Sequence, residues 1–159
     1  MTPQERVKAA LQALGLPAEL KEFDASTHTA QDAANAVGCE LGQIVKTLFF
    51  LAEGRPTLAL VAGDRQCDTA LLAELVGVGR KRLKMGSPEQ VAEYTGYPVG
   101  GVAPVGTLQQ CDVVIDDTLK RFDRIWAAAG NGNTVFATEP AALVNATHGQ
   151  WAAITRSSA

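Results

Sequence analysis

Two features of this sequence are of types that could do chemistry. The first is Lys46, in Ile44-Val45-Lys46-Thr47-Leu48-Phe49-Phe50. Its neighbours are almost all apolar. On a strand, alternation puts Lys46 on one side with Ile44, Leu48 and Phe50. If that side faces the core, the ammonium must open into a pocket or meet an anion. On an edge strand it instead lays its stem on apolar surface and keeps its head wet. The second feature is the loop Gly96-Tyr97-Pro98-Val99-Gly100-Gly101-Val102-Ala103-Pro104-Val105-Gly106. Adjacent glycines let a ligand approach the backbone, whose N–H groups can stabilise an oxyanion. Prolines stiffen the loop. Its bland alternative is a plain helix-to-strand connection. It matches neither a P-loop nor a dinucleotide fingerprint.

Other chemistries are poorly supplied. His28 and His148 are the only histidines, and Ser26, Ser87, Ser157 and Ser158 form no nucleophile elbow. Cys39, Cys67 and Cys111 are widely spaced, with no C-x-x-C, so no zinc knuckle or thioredoxin-like motif is expected. Metal-ligand spacing is lacking, and no cofactor is expected. Asp116-Asp117 follows a short apolar run, with Asp117 expected to cap the turn after it. Trp126 and Trp151 read as packing residues.

The net charge of −3 argues against a broad, stable nucleic-acid footprint. Arg80, Lys81, Arg82 and Lys84 form one local basic cluster; Lys120, Arg121 and Arg124 form a looser one. Each also reads as ordinary solvated surface. Reduced cysteines and an N-terminus without a signal-peptide plan suggest the cytoplasm. No apolar run is long enough to span a membrane.

The elements that must hold Lys46 and the loop follow from local signals. Thr2-Pro3-Gln4-Glu5 starts a helix that Gly15 stops. Leu20 to Phe23 suggests a short strand. Thr29 opens a helix over 30–37, closed by Gly38. Residues 44–51 and 57–62 read as a hairpin across Glu53-Gly54-Arg55-Pro56. Asp68 caps a helix over 69–75, and Ser87-Pro88-Glu89-Gln90 starts one ending near Gly96. Residues 113–115 form a buried strand. Residues 125–128 and 134–137 flank Gly130-Asn131-Gly132-Asn133 as a second hairpin. Thr138 opens a helix to about Val144, 151–154 form a last strand, and 156–159 are expected to fray. Apolar residues make up 47% and charged residues 19% of 159 residues, enough for one core without disulfides. The expectation is a single α+β domain over 1–159, its mixed, mostly antiparallel sheet flanked by helices.

Taken in order, Val45-Lys46-Thr47-Leu48, then G-x-x-x-G-G-x-x-P at Gly96, Gly100, Gly101 and Pro104, then Ile115-Asp116, then Ala129-Gly130, resemble the YbaK/EbsC family. That fold also occurs as the editing insertion of bacterial prolyl-tRNA synthetases. The resemblance runs from about Val7 to Ile154 and implies a free-standing editing domain. It implies hydrolysis of mischarged aminoacyl-tRNA, often tRNA(Pro) carrying alanine or cysteine, with serine or threonine handled by related members. Carried over, Lys46 is the functional lysine, and Gly100 and Gly101 line the aminoacyl pocket. Gly130 closes that pocket. Gly96, Tyr97, Pro104, Asp116 and Asn131 are expected around the substrate. Some members carry histidine where this chain has Asn131. The implied partners are the tRNA acceptor end and a synthetase, with no membrane. A non-catalytic aminoacyl-tRNA or nucleotide-binding module would use the same residues, and an interaction protein holding a synthetase would use the same scaffold.

Overall fold

The computed structural model describes residues 1–16, 18–24 and 29–157; Pro17, Ser26, His28 and Ser158 lie outside them. The first helix, α1 (Pro3–Ala13), starts where Thr2 accepts the Glu5 N–H. Strand β1 (Glu19–Glu22) follows. Helix α2 (Ala30–Val37) is capped by Thr29 and ends at Gly38 in the left-handed conformation. Next come β2 (Val45–Ala52), β3 (Arg55–Ala62), β4 (Arg65–Cys67) and α3 (Thr69–Val76). Then follow β5 (Leu83–Met85), α4 (Pro88–Thr95) and β6 (Asp112–Asp116). The chain continues through β7 (Ile125–Ala128), β8 (Thr134–Thr138), α5 (Pro140–Thr147), β9 (Gln150–Ala152) and β10 (Thr155–Ser157).

The main sheet has the order β5-β2-β3-β6-β9. Its β5, β2 and β3 are antiparallel; β6 and β9 join parallel to β3. A second sheet, β1-β8-β7, and the pair β4-β10 are antiparallel. The α+β class with a mixed, mostly antiparallel sheet is therefore as expected.

Alternation along β3 explains the layering. Leu58 and Leu60 face a core shared with Val7 and Leu11 of α1, Val91 of α4, Phe136 of β8 and Leu143 of α5. Ala59 and Val61 face a second core with Leu72 of α3, Leu83 and Ile154. Because both faces are covered, the strand reads as a continuous apolar run. A third cluster packs Ala33 and Ala34 of α2 on Ile44, Trp126 and Val135.

Several details differ from the sequence reading. The first hairpin turns on two residues, Glu53 (φ 50°) and Gly54 (φ 82°), and Arg55 and Pro56 already belong to β3. Pro56 sits opposite Leu51, beside the closing pair Ala52–Arg55 and before pairing with β6 begins at Thr57. A missing N–H costs nothing in such a position. The last helix starts at Pro140 because Thr138 is still paired in β8. Arg156 and Ser157 do not fray; they pair with Gln66 and Arg65.

Candidate functional site

The site exists because β2 is only partly covered on its outer edge. There β5 pairs with Phe50–Ala52 alone. Farther back, β7 meets β2 through a single parallel bridge, Ile44 to Trp126. Beyond that bridge the space between the strands is a cleft of about 420 Å³ whose walls include Lys46, Thr47, Gly100, Val102, Asn131 and Thr134. Size alone does not single it out, since a groove between Ala18 and Ala142 reaches about 500 Å³. What distinguishes the cleft is the set of groups it gathers.

Lys46 is half-buried, on the face of β2 that also carries Leu48 and Phe50. Its ammonium donates to the Arg65 carbonyl at 2.5 Å. Burial lowers its pKa below the ordinary lysine range, while the charges of Asp64 and Asp116, and Cys67, pull it partly back. Burial is likewise the main reason the Cys67 thiol is pushed up, so it is a poor thiolate. Asp64 is held below the usual carboxylate range by its ion pair with Arg121 at 2.8 Å.

The glycine loop is anchored by a residue the sequence did not flag. Arg6 of α1 donates to the carbonyls of Gly96 (2.6 Å) and Gly106 (2.9 Å), with its guanidinium 4.7 Å from the Tyr97 ring centre. Tyr97 is fully buried and donates its hydroxyl to the Val105 carbonyl at 2.7 Å. Gly96 ends α4 in the left-handed conformation, and Pro104 is buried. None of Gly96, Tyr97 and Pro104 lines the cleft. Their contacts shape the loop. The loop's tip, Gly100, does line it.

Gly101 lies just behind that tip, against the second hairpin. Its N–H donates to Pro98, at 2.9 Å, and its carbonyl accepts the Gly130 N–H at 3.0 Å. Gly101 is therefore not available as an oxyanion donor. A Cβ on Gly101 would stand 2.6 Å from Asn131 Cα, and one on Gly130 would stand 2.8 Å from Pro3. The hairpin, the loop and α1 are thus in backbone contact, with no room for side chains between them. Gly100 N–H has no acceptor among the described residues. Asn131 lines the cleft while its side-chain oxygen accepts the Asn133 N–H at 3.0 Å.

Asp116 is placed differently from its expected substrate-side position. It is fully buried. Its carboxylate accepts from Ala62 N–H (3.0 Å), Thr118 N–H (3.0 Å), and the hydroxyls of Thr118 (2.8 Å) and Thr155 (3.2 Å). It, and not Asp117, caps the turn over 117–121. Thr155 also receives Arg65 Nε at 3.1 Å. Asp116 thus braces the segment whose carbonyl holds Lys46.

The cleft holds two more groups that sequence reasoning missed. The hydroxyls of Thr47 and Thr134 are shielded from bulk water and have no hydrogen-bond partner among the described residues, and both residues line the cleft through other atoms. A threonine beside an apolar strand lysine carries no sequence signal; only folding shows that its hydroxyl is unpaired. Among the described residues no group of three His, Cys, Asp or Glu could hold a metal ion, and no helix is long and apolar enough to cross a membrane.

A glycine loop and a strand lysine thus meet at one open sheet edge on an α+β scaffold, and the family follows from comparison with the aminoacyl-tRNA editing domain. Residues 24–146 match that family, and the chain belongs to it. A solved structure described as a candidate trans-editing enzyme for prolyl-tRNA synthetase is 37% identical, with a TM-score of 0.92 over 98% of both chains. EbsC of Enterococcus faecalis, described as a candidate Cys-tRNA(Pro)/Cys-tRNA(Cys) deacylase, is 29% identical over 80% of this chain and 77% of its own length. The proline–tRNA ligase of Nitratidesulfovibrio vulgaris is 38% identical over 104 residues, which are 65% of this chain but 18% of the ligase. The family and the aminoacyl-tRNA deacylase class expected from the lysine and glycine motifs stand.

Proposed function

We propose that this chain is a trans-acting editing deacylase that frees tRNA(Pro) from a small, wrongly attached amino acid. The observation that carries this reading is the meeting of Lys46, Gly100 and Asn131 in one cleft at the free edge of β2. The deacylase role described for EbsC and the trans-editing role described for the similar solved structure support the same reading. The editing domain is taken to occupy the whole chain and to act in the cytoplasm, where tRNA is charged. Its partners are the acceptor end of tRNA and, by likeness to the ligase, a synthetase.

Lys46, braced by the Arg65 carbonyl, serves as a compact point charge for the phosphate of the terminal adenosine. The ester carbonyl lies under Gly100, whose N–H bonds the oxygen as it gains charge. Water attacks the carbonyl carbon and the carbon–ribose-oxygen bond breaks. The proton lost by water passes to the departing ribose oxygen, with the neighbouring ribose hydroxyl as shuttle. The products are the free amino acid and uncharged tRNA. An aminoacyl ester is already activated, so positioning suffices and no strong protein base is needed. Discrimination against prolyl is assigned to the walls of the cleft, which include Asn131 and Val102. A second site is useful because a synthetic site gains only about 1–3 kcal/mol per methylene when rejecting smaller residues.

The test is hydrolysis of tRNA(Pro) charged with alanine, serine, cysteine, threonine or proline. Rapid loss of one or two small residues with prolyl spared supports the proposal. Tight binding without turnover of any species would replace it with a non-catalytic binding module.

A further inference from the structure

The two basic clusters of the sequence meet different fates in the fold. In the looser one every cation is engaged within the chain. Arg121 pairs with Asp64, Arg124 pairs with Glu19, and Lys120 lies 4.8 Å from the Trp151 ring centre. In the tighter one Arg80, Lys81, Arg82 and Lys84 are all exposed, and none has an ion pair among the described residues. The chain carries a net charge of −3, so these unneutralised cations are a local excess on an acidic whole.

The backbone of the cluster is fixed while its side chains stay free. Residues Arg80–Arg82 form a single 3-10 turn, closed by the Arg82 N–H on the Gly79 carbonyl at 2.8 Å. The Arg82 carbonyl accepts the Glu53 N–H at 3.1 Å, Leu83 is buried in the second core, and Lys84 pairs with Leu51. A groove of about 370 Å³ lies here, its described walls carrying Lys81, Arg82 and Lys84 against one acid, Glu53.

This groove and the cleft share one sheet edge. Strand β5 covers the outer edge of β2 at Phe50–Ala52, and the cleft occupies the same edge farther back, around Val45, Lys46 and Thr47. Lys84 is level with Leu51, which lies about 17 Å beyond Lys46 along an extended strand. A stacked nucleic-acid strand advances about 3.4 Å per nucleotide, so this span takes about five nucleotides. With the terminal adenosine at Lys46, that length passes the short unpaired 3′ end of a tRNA and arrives where the acceptor stem begins. The stem offers phosphates at regular spacing, which Lys and Arg neutralise without reading the bases.

We infer that Lys81, Arg82 and Lys84 seat the phosphate backbone at the start of the acceptor stem, holding the tRNA along the outer edge of β2 while its 3′ end enters the cleft. This rests on the editing reading and adds to it the surface that meets the rest of the tRNA.

The experiment measures binding of uncharged tRNA(Pro) to the full chain by fluorescence anisotropy, between about 50 and 200 mM KCl. The proteins are wild type and the triple variant Lys81→Gln, Arg82→Gln, Lys84→Gln. Each lost phosphate contact takes about 0.7–0.9 from the slope of log affinity against log salt, so three take about 2–3. Wild type should therefore weaken about 20–40-fold more than the variant across that range. If the triple variant melts below wild type, Lys81→Gln alone should take about one unit from the slope. The double variant Lys120→Gln, Arg124→Gln should keep the wild-type slope, and a stemless oligonucleotide with the same 3′ end should bind wild type and the triple variant with equal slopes. Equal slopes on tRNA overturn the inference, as does a wild type that binds no tRNA at the lowest salt. An equal loss in the double variant overturns it too, because the effect is then one of net charge. A difference on the stemless oligonucleotide as large as on tRNA moves the contact to the unpaired end and overturns the stem assignment. Turnover is read separately: no hydrolysis of any misacylated species overturns the editing reading, while the salt slopes still decide whether the cluster holds the stem.

Discussion

Replacing Asp116 with alanine should cost this protein more than any surface charge. The carboxylate accepts four hydrogen bonds of 2.8–3.2 Å, two from neighbouring Thr118 and two from the distant Ala62 and Thr155, and is fully buried. Two of the donors are main-chain N–H groups, of Ala62 and Thr118, with no other acceptor at hand. Leaving each unpaired costs about 1–3 kcal/mol, so the pair costs about 4 kcal/mol. The two threonine hydroxyls rotate and recover part of their loss. For a chain of this length 1 kcal/mol is worth about 2–4 °C, so Tm should fall by roughly 8–16 °C. Asp116→Asn keeps the shape and one acceptor oxygen and should recover about half of that. The assay is a thermal melt of all three proteins, followed by deacylation at a temperature where each is folded. Activity should fall too, because Thr155 links Asp116 to Arg65, whose carbonyl holds Lys46. A melt of Asp116→Ala within about 2 °C of wild type would refute this reasoning.

Three further outcomes follow from the site. Lys46 has its pKa lowered chiefly by burial, and it is needed as an ammonium. Activity, corrected for spontaneous ester hydrolysis, should hold on the acid side and fall as pH rises through a value below the ordinary 10.5. A pH–rate profile without that limb removes the charge from the mechanism. The same shift has a stability consequence of opposite sense. The folded state releases the Lys46 proton first, so wild type should gain stability relative to Lys46→Met between that lowered pKa and about 10.5, which melts across alkaline pH will check. Gly101→Ala places a Cβ 2.6 Å from Asn131 Cα, so the hairpin must move away from the loop. A displacement near 1 Å costs on the order of a hundredfold in turnover. Wild-type kcat in that variant would show that the contact is not needed.

Elements bounded by strong local chemistry were legible in the sequence. Thr2-Pro3-Glu5, Thr29 with Gly38, and Ser87-Pro88-Gln90 each carry a start or stop that needs no distant partner. The short polar strands β4, β5 and β10 were not, because three residues such as Arg65-Gln66-Cys67 become a strand only by pairing far along the chain. The site divides the same way. Lys46 stands out as a charge in an apolar run, and Gly100 as part of a glycine pair. Asp116 looked like a ligand-side acid because its four donors come from residues 62, 118 and 155. Arg6 is unremarkable in a helix until the loop folds under it. Thr134 shows as a cleft residue only once the second hairpin has folded against the loop.

The most direct test of the account compares wild type with Lys46→Ala on one misacylated tRNA(Pro), at equal concentration and with matched thermal melts. The account predicts rapid loss of the ester with wild type and only the spontaneous rate with the variant, both proteins being folded. Equal hydrolysis by the two would contradict it, because the cleft at the free edge of β2 would then not be where the ester is cleaved.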